Sequence, residues 1–86
     1  MEVIFHKNFK KQYKKLRSEG RIKCDERIAL FMKNHNHPIL NNHSLGGKYK
    51  KYKSINISGD LRAIYDLVAK NTALFILVDT HSNLYS

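Results

Sequence analysis

The sequence predicts an α+β fold, two N-terminal helices packed on a three- to four-stranded antiparallel sheet, in a single domain covering residues 1–86. Three observations predict it. Apolar residues recur at helical spacing in the first part of the chain and in strand-like runs in the second, with no alternation between the two patterns. Two short turn signals, Ser58-Gly59-Asp60 and Lys70-Asn71-Thr72, divide the second part into three runs, as in an antiparallel meander. No repeat, low-complexity tract or linker interrupts the 86 residues, a length that suits one domain with a modest core.

Val3, Ile4 and Phe5 form a short candidate opening strand. Phe9, Tyr13 and Leu16 then fall at i, i+4 and i+7, one helical face, while Lys10, Lys11, Lys14, Lys15 and Arg17 cover the remainder. Gly20 reads as the stop of this helix. A second helix is expected to begin near Cys24 or Asp25, with Cys24, Ile28, Phe31 and Met32 on one face. Asp25 and Glu26 would occupy its first turn, where the helix dipole favours acids. Pro38 and Asn41-Asn42 end it. A connection of about five residues makes the pair an antiparallel hairpin. Over residues 48–57, Tyr49, Ile55 and Ile57 fall on one side of a strand and Tyr52, Ser54 and Asn56 on the other. Residues 61–68 are rich in strand formers. Residues 73–78 are almost continuously apolar, as expected of a central strand buried on both faces. The helical hairpin covers one sheet face, which leaves the other face, or one end of it, for function.

Sixteen Lys and Arg against seven Asp and Glu give a net charge of +9. Such an excess favours a polyanionic partner, whether nucleic acid, ribosome or an acidic protein. Cys24 is the single cysteine, which rules out an intrachain disulfide and a cysteine-based zinc cluster; it reads as a small apolar residue on a helix. His35 and His37 lack a nearby acid or cysteine and read as helix-end and loop residues, so no metal site and no cofactor are expected. The N-terminal stretch has no signal-peptide apolar run, and no segment approaches the ~20 apolar residues of a membrane span. The cytoplasm is the expected location, with no membrane partner.

Three polar clusters carry the chemistry: residues 43–47 (HSLGG), 58–62 (SGDLR) and 79–85 (DTHSNLY). Pairing of antiparallel strands can bring such distant stretches together. Lys48, Lys50, Lys51 and Lys53, interleaved with Tyr49 and Tyr52, combine phosphate-binding charge with base-stacking rings.

From His43 to Tyr85 the sequence resembles the RelE/ParE superfamily of toxin–antitoxin toxins, and most of all its YafQ-like branch of mRNA interferases. The markers are the H-x-L-x-G lead-in at His43, the G-D-L-R-A-I-Y strand at Gly59, and the closing T-H-S-x-L-Y at Thr80. They cover half the chain in order, and the helical pair beginning near Phe9 fits the same family. The resemblance implies a RelE-like fold and a ribosome-dependent, metal-free endoribonuclease. In that chemistry the ribose 2′-OH attacks the adjacent phosphate and leaves a 2′,3′-cyclic phosphate and a 5′-OH. It needs a base near the 2′-OH, an acid near the leaving 5′ oxygen and positive charge around the phosphorane. It also implies a cognate antitoxin protein, with a toxin–antitoxin hetero-oligomer, and the ribosome and mRNA as targets.

By the resemblance, His81 is the general acid, Asp60 assists proton transfer, His43 is a base or phosphate donor, and Tyr85 stacks on an mRNA base. Histidine suits acid–base work because its ordinary pKa of about 6.5 lies near neutrality. Arg62 is the natural phosphate clamp, since a guanidinium binds phosphate in a bidentate manner. Lys48, Lys50, Lys51 and Lys53 would bind RNA. Each also has a purely structural reading: tail histidine, turn aspartate, loop histidine, an Arg62 ion pair with Asp66 or Asp79, a packed tyrosine, a solvated strand. The sequence departs from the family at two points, with Asn56 where a histidine and Leu77 where an arginine is often found. Two rival activities remain at this level, a ParE-like gyrase-inhibiting toxin and a non-catalytic RNA- or ribosome-binding module.

Overall fold

A computed structural model describes residues 1–85. Strand β1 (Glu2–Phe5) leads into helix α1 (Lys7–Lys15) and helix α2 (Ser18–Lys33). Strands β2 (His43–Ser44), β3 (Lys53–Ser58), β4 (Leu61–Ala69) and β5 (Thr72–Thr80) follow, and helix α3 (His81–Leu84) closes the described chain. The strands form one mixed sheet in the order β1-β5-β4-β3-β2. The expected α+β class and β3–β4–β5 meander are present. The expected three to four antiparallel strands are instead five, because β1 pairs parallel with β5 and the two-residue β2 adds to the far edge. Parallel pairing of β1 joins segments almost a chain length apart, so no local turn signal announces it.

The helices also differ from expectation. His6 caps α1, its Nδ1 accepting from the Asn8 amide at 3.0 Å. Leu16 and Arg17 are extended and form the whole connection, not a link of five residues. Ser18 begins α2, six residues ahead of Cys24, with Glu19 as the acid of its first turn. Gly20 therefore lies inside α2 and stops nothing. Interior glycine costs about 1 kcal/mol of helix propensity, and tertiary packing overrides it. Lys48 and Tyr49 belong to a short 3-10 turn (Gly47–Tyr49) ahead of β3, so Lys48, Lys50 and Lys51 lie on a loop and not on the strand.

Phe9 from α1, Cys24, Ile28 and Phe31 from α2, and Leu40 pack on Ile55, Ile57, Ala63, Tyr65, Ala73, Phe75 and Val78 of the sheet. Phe31 meets Tyr65 and Phe75 edge-on at 5.0 and 5.2 Å. Phe75 and Val78 are three apart, a spacing that a regular strand sends to opposite faces. A register shift between Ile64 and Tyr65 opposite them brings both to the helix side. The run 73–78 is thus fully buried on the helix face but only half-buried at Leu74, Ile76 and Leu77. Tyr65 donates its hydroxyl to Asn42 Oδ1 at 2.8 Å, and burial raises its pKa.

The second sheet face is built differently. Cross-strand partners share a face; Ser54 pairs with Ile64, Ile64 with Leu77, Asn56 with Arg62, and Arg62 with Asp79. Ile64 and Leu84 are buried yet stand outside the helix-side core, which puts α3 on this second face. Gly59 and Asp60 make the two-residue β3–β4 turn, and Gly59 has φ of 46°, a value suited to glycine.

Candidate active site

A polar cleft of about 230 Å³ opens on the α3 side of the sheet, lined by Asn41, His43, Ser54, Asn56, Arg62, His81 and Tyr85. The fold assembles it from four places: the loop into β2, the middle of β3, the start of β4, and α3. A larger groove of about 440 Å³ between β1, α1 and α2 is lined by Phe5, Phe9, Tyr13, Ile28 and others. It is almost wholly apolar and holds none of the residues selected above for chemistry.

His43 precedes Ser44 on β2 and pairs in register with the buried Ser54. Its Nδ1 lies 2.7 Å from the Asn41 carbonyl oxygen. A carbonyl only accepts, so Nδ1 carries a proton, and in the neutral ring the lone pair is then on Nε2. That tautomer is the one a base requires. Asn41 holds the carbonyl in place from a left-handed conformation, φ 45°, which asparagine tolerates better than most residues. Asn41 and Ser54 were not singled out from sequence. Asn41 read only as a helix-ending residue, and no local pattern marks either.

His81 is the first residue of α3, exposed, with its amide bonded to the Asp60 carbonyl at 2.7 Å. Thr80 caps α3, its Oγ1 accepting from the Asn83 amide at 3.1 Å. Tyr49 donates its hydroxyl to the Leu84 carbonyl at 3.1 Å and meets the Tyr85 ring edge-on at 5.7 Å. The His81 and Tyr85 rings lie 4.7 Å apart. Residues 81–85 are thus a docked segment with a fixed histidine. Burial and the neighbouring Tyr49 raise the Tyr85 pKa, against a lowering by Arg62, so its phenol stays protonated near neutrality. Tyr85 remains 43% exposed, and this leaves ring surface for stacking.

Arg62 lines the cleft and makes no ion pair with Asp66 or Asp79; among the described residues the one salt bridge is Lys23–Glu26. Its Nη1 donates to the Gly59 carbonyl at 2.8 Å and the Leu61 carbonyl at 3.2 Å. Asp79 Oδ1 instead accepts from the Thr80 amide and Asn83 Nδ2. Asp60 lies outside the cleft lining. Its carbonyl holds His81, and its carboxylate Oδ2 sits 3.4 Å from Ser82 Oγ. Lys48, Lys50, Lys51 and Lys53 also lie outside the lining. Lys48 and Lys51 sit 5.1 and 5.5 Å from the Tyr49 and Tyr52 ring centres, and Lys53 pairs with Ser44 and Tyr65. Leu77 is half-buried in the second face, away from the cleft. His37 accepts from the Ile39 amide at 3.2 Å, and the His35 ring meets Phe31 edge-on at 6.1 Å. Both do structural work where helix α2 gives way to the loop.

Two histidines, an arginine and a tyrosine thus share one open cleft on a small basic α+β scaffold. Residues 1–86 match the family model described as bacterial toxin of type II toxin–antitoxin system, YafQ. The chain belongs to that family. Among solved structures, YafQ from Escherichia coli strain BL21(DE3) superposes with a TM-score of 0.81 at 18% identity, covering 99% of this chain and 98% of that one. A copper-bound mutant toxin from Helicobacter pylori gives 0.77 at 26% identity, with 99% of each chain covered. The RelB–RelE antitoxin–toxin complex from Methanococcus jannaschii gives 0.71 at 21% identity over 98% of this chain and 96% of that one. No curated protein sequence matches.

Proposed function

We propose that this toxin is a ribosome-dependent mRNA endoribonuclease acting by acid–base catalysis. The observation that carries the reading is the cleft itself: His43, with Nε2 left as an acceptor, and His81 line the same cavity as Arg62. His43 Nε2 takes the proton of the ribose 2′-OH as its oxygen attacks the phosphorus. His81 gives a proton to the 5′ oxygen as the P–O5′ bond breaks. Charge that builds on the non-bridging oxygens meets Arg62, whose guanidinium is the one permanently cationic group in the lining. The products are a 2′,3′-cyclic phosphate and a 5′-OH, and the scheme requires no metal.

Asp60 acts here as a positioning residue, because its carbonyl fixes the His81 backbone. Tyr85 offers its exposed edge to a base, and Lys48, Lys50, Lys51 and Lys53 supply charge toward the RNA phosphates around the cleft. A cognate antitoxin holds the toxin silent as a hetero-oligomer. The structurally similar RelB–RelE pair, solved as an antitoxin–toxin complex, supports such a partner. Among the described residues no helix is long and apolar enough to cross a membrane, and a target on translating ribosomes implies action in the cytoplasm.

Incubation of the purified toxin with mRNA-programmed bacterial ribosomes tests this reading. Cleavage with a 2′,3′-cyclic phosphate end is expected, with loss of cleavage in His81→Ala while ribosome association persists. An H81A protein that cuts like the parent would overturn the mechanism. Intact mRNA together with inhibited DNA supercoiling would instead support a ParE-like activity.

A further inference from the structure

Asn56 is an anomaly of the second sheet face. Among the described residues, its Oδ1 is the one buried side-chain oxygen or nitrogen without a hydrogen-bond partner. An unsatisfied buried polar atom costs roughly 1–3 kcal/mol. Asn56 also lines the cleft, so with Oδ1 shut away the Nδ2 end of the carboxamide is the one turned to the cavity. Directly across the ladder stands Arg62, its register partner on β4, lining the same cavity. Cross-strand neighbours on one face have Cβ atoms about 5 Å apart, within the span of a single phosphate group and its donors. A phosphate offers only acceptors, and the donor-out amide matches it. A half-turn about χ2 would present an acceptor in its place, which phosphate cannot use.

We propose that Asn56 is a phosphate-binding residue of this site, with Asn56 Nδ2–H and the Arg62 guanidinium together binding a non-bridging oxygen of the scissile phosphate. The assignment rests on the endoribonuclease reading above and deepens it. In the attacked state the negative charge on that oxygen grows, so the amide donor gains strength where the barrier lies. Asn56 neither takes nor gives a proton; His43 and His81 keep those roles. Among the described residues no side-chain hydrogen bond of Asn56 competes with that role.

The test is single-turnover cleavage of an mRNA oligonucleotide on bacterial ribosomes by the parent, Asn56→Ala, Asn56→Asp and Asn56→His proteins. Removal of one such donor lowers the chemical rate roughly 100-fold, and that loss is expected in N56A with ribosome affinity unchanged. N56D keeps the volume but turns a carboxylate toward the phosphate, and is expected to be slower still. N56H restores an N–H donor and should recover part of the N56A loss. Both limbs of the pH–rate profile should persist in N56A, since the lost group does not titrate. Sulfur in place of the contacted phosphate oxygen should slow the parent, and this effect should shrink in N56A. Because N56A removes an unsatisfied buried oxygen and breaks no side-chain hydrogen bond seen among the described residues, it should melt no lower than the parent; a lower melting point with an unchanged cleavage rate would make the residue structural and overturn the proposal. So would a sulfur effect of equal size in both proteins. A parent that cuts no RNA would overturn both this assignment and the endoribonuclease reading, whereas a cutting parent matched by N56A would overturn the assignment alone.

Discussion

Leu84→Ala asks what holds helix α3 and His81 in place. Helix α3 has four residues, too few to persist on its own hydrogen bonds. Leu84 is 4% exposed and lies outside the helix-side core, so it anchors α3 to the second sheet face. Truncation to alanine removes three carbons, at about 0.8 kcal/mol each for a loss of about 2.4 kcal/mol. That shifts a local docking equilibrium roughly 50-fold toward the undocked segment. Amide exchange at residues 82–85 should accelerate by up to that factor, and RNA cleavage should fall because His81 is no longer fixed. A four-residue terminal helix undocks before the rest of the domain unfolds, so at the melting temperature the docked contact no longer counts and global melting should move by only a few degrees. If Leu84 instead belonged to the cooperative core, the same 2.4 kcal/mol would lower the melting temperature by about 10 °C or more. A drop of that size, with no selective acceleration of exchange at the C-terminal end, would refute the local-docking argument.

Other expectations can be checked separately. A base must be neutral and an acid protonated, so His43→Ala should flatten the acidic limb of the pH–rate profile and His81→Ala the alkaline limb; pH profiles of the two variants decide the assignment. Charge reversal at Lys50 and Lys51 should weaken ribosome association and reduce its salt dependence, read from binding at several ionic strengths. Burial, then the neighbouring Asp25, pushes the Cys24 thiol up to about 12 from 9.0. Native protein at pH 8 should therefore resist iodoacetamide until it unfolds. The same shift makes Cys24 favour the folded state fully below about pH 9 and progressively less as pH rises toward 12. Cys24→Ala should lack that alkaline component, measured as stability against pH.

Periodicity and turn chemistry carried much of the fold. The face Phe9-Tyr13-Leu16 and the face Cys24-Ile28-Phe31 are both turned toward the core, as their spacing implies, although Met32 is 49% exposed. Gly59-Asp60 turns where a hairpin needs glycine at positive φ. Helix limits were less legible. Ser18, Glu19, Gly20 and Arg21 read as a break, yet form the first turn of α2, because packing of the apolar face outweighs the local cost of Gly20. The tyrosine–lysine stretch has strand composition but is bent into a 3-10 turn, where Tyr49 reaches α3.

The sequence by itself determined the charge, the class of fold, the meander and the candidate histidines, all of which depend on residue type and short-range spacing. Tertiary structure alone decided the parallel β1–β5 pair, the bulge that turns both Phe75 and Val78 inward, and the membership of the cleft. Cleft membership depends on which strand lies opposite which, and long-range register leaves no local mark on the chain. That is why His81 and Arg62 line one cleft with His43 while Asp60, only two residues before Arg62, lies outside it and touches His81 only through a backbone hydrogen bond. It is also why Asn56 looked like a missing group in the sequence and stands in the folded chain as an unbonded amide facing the site.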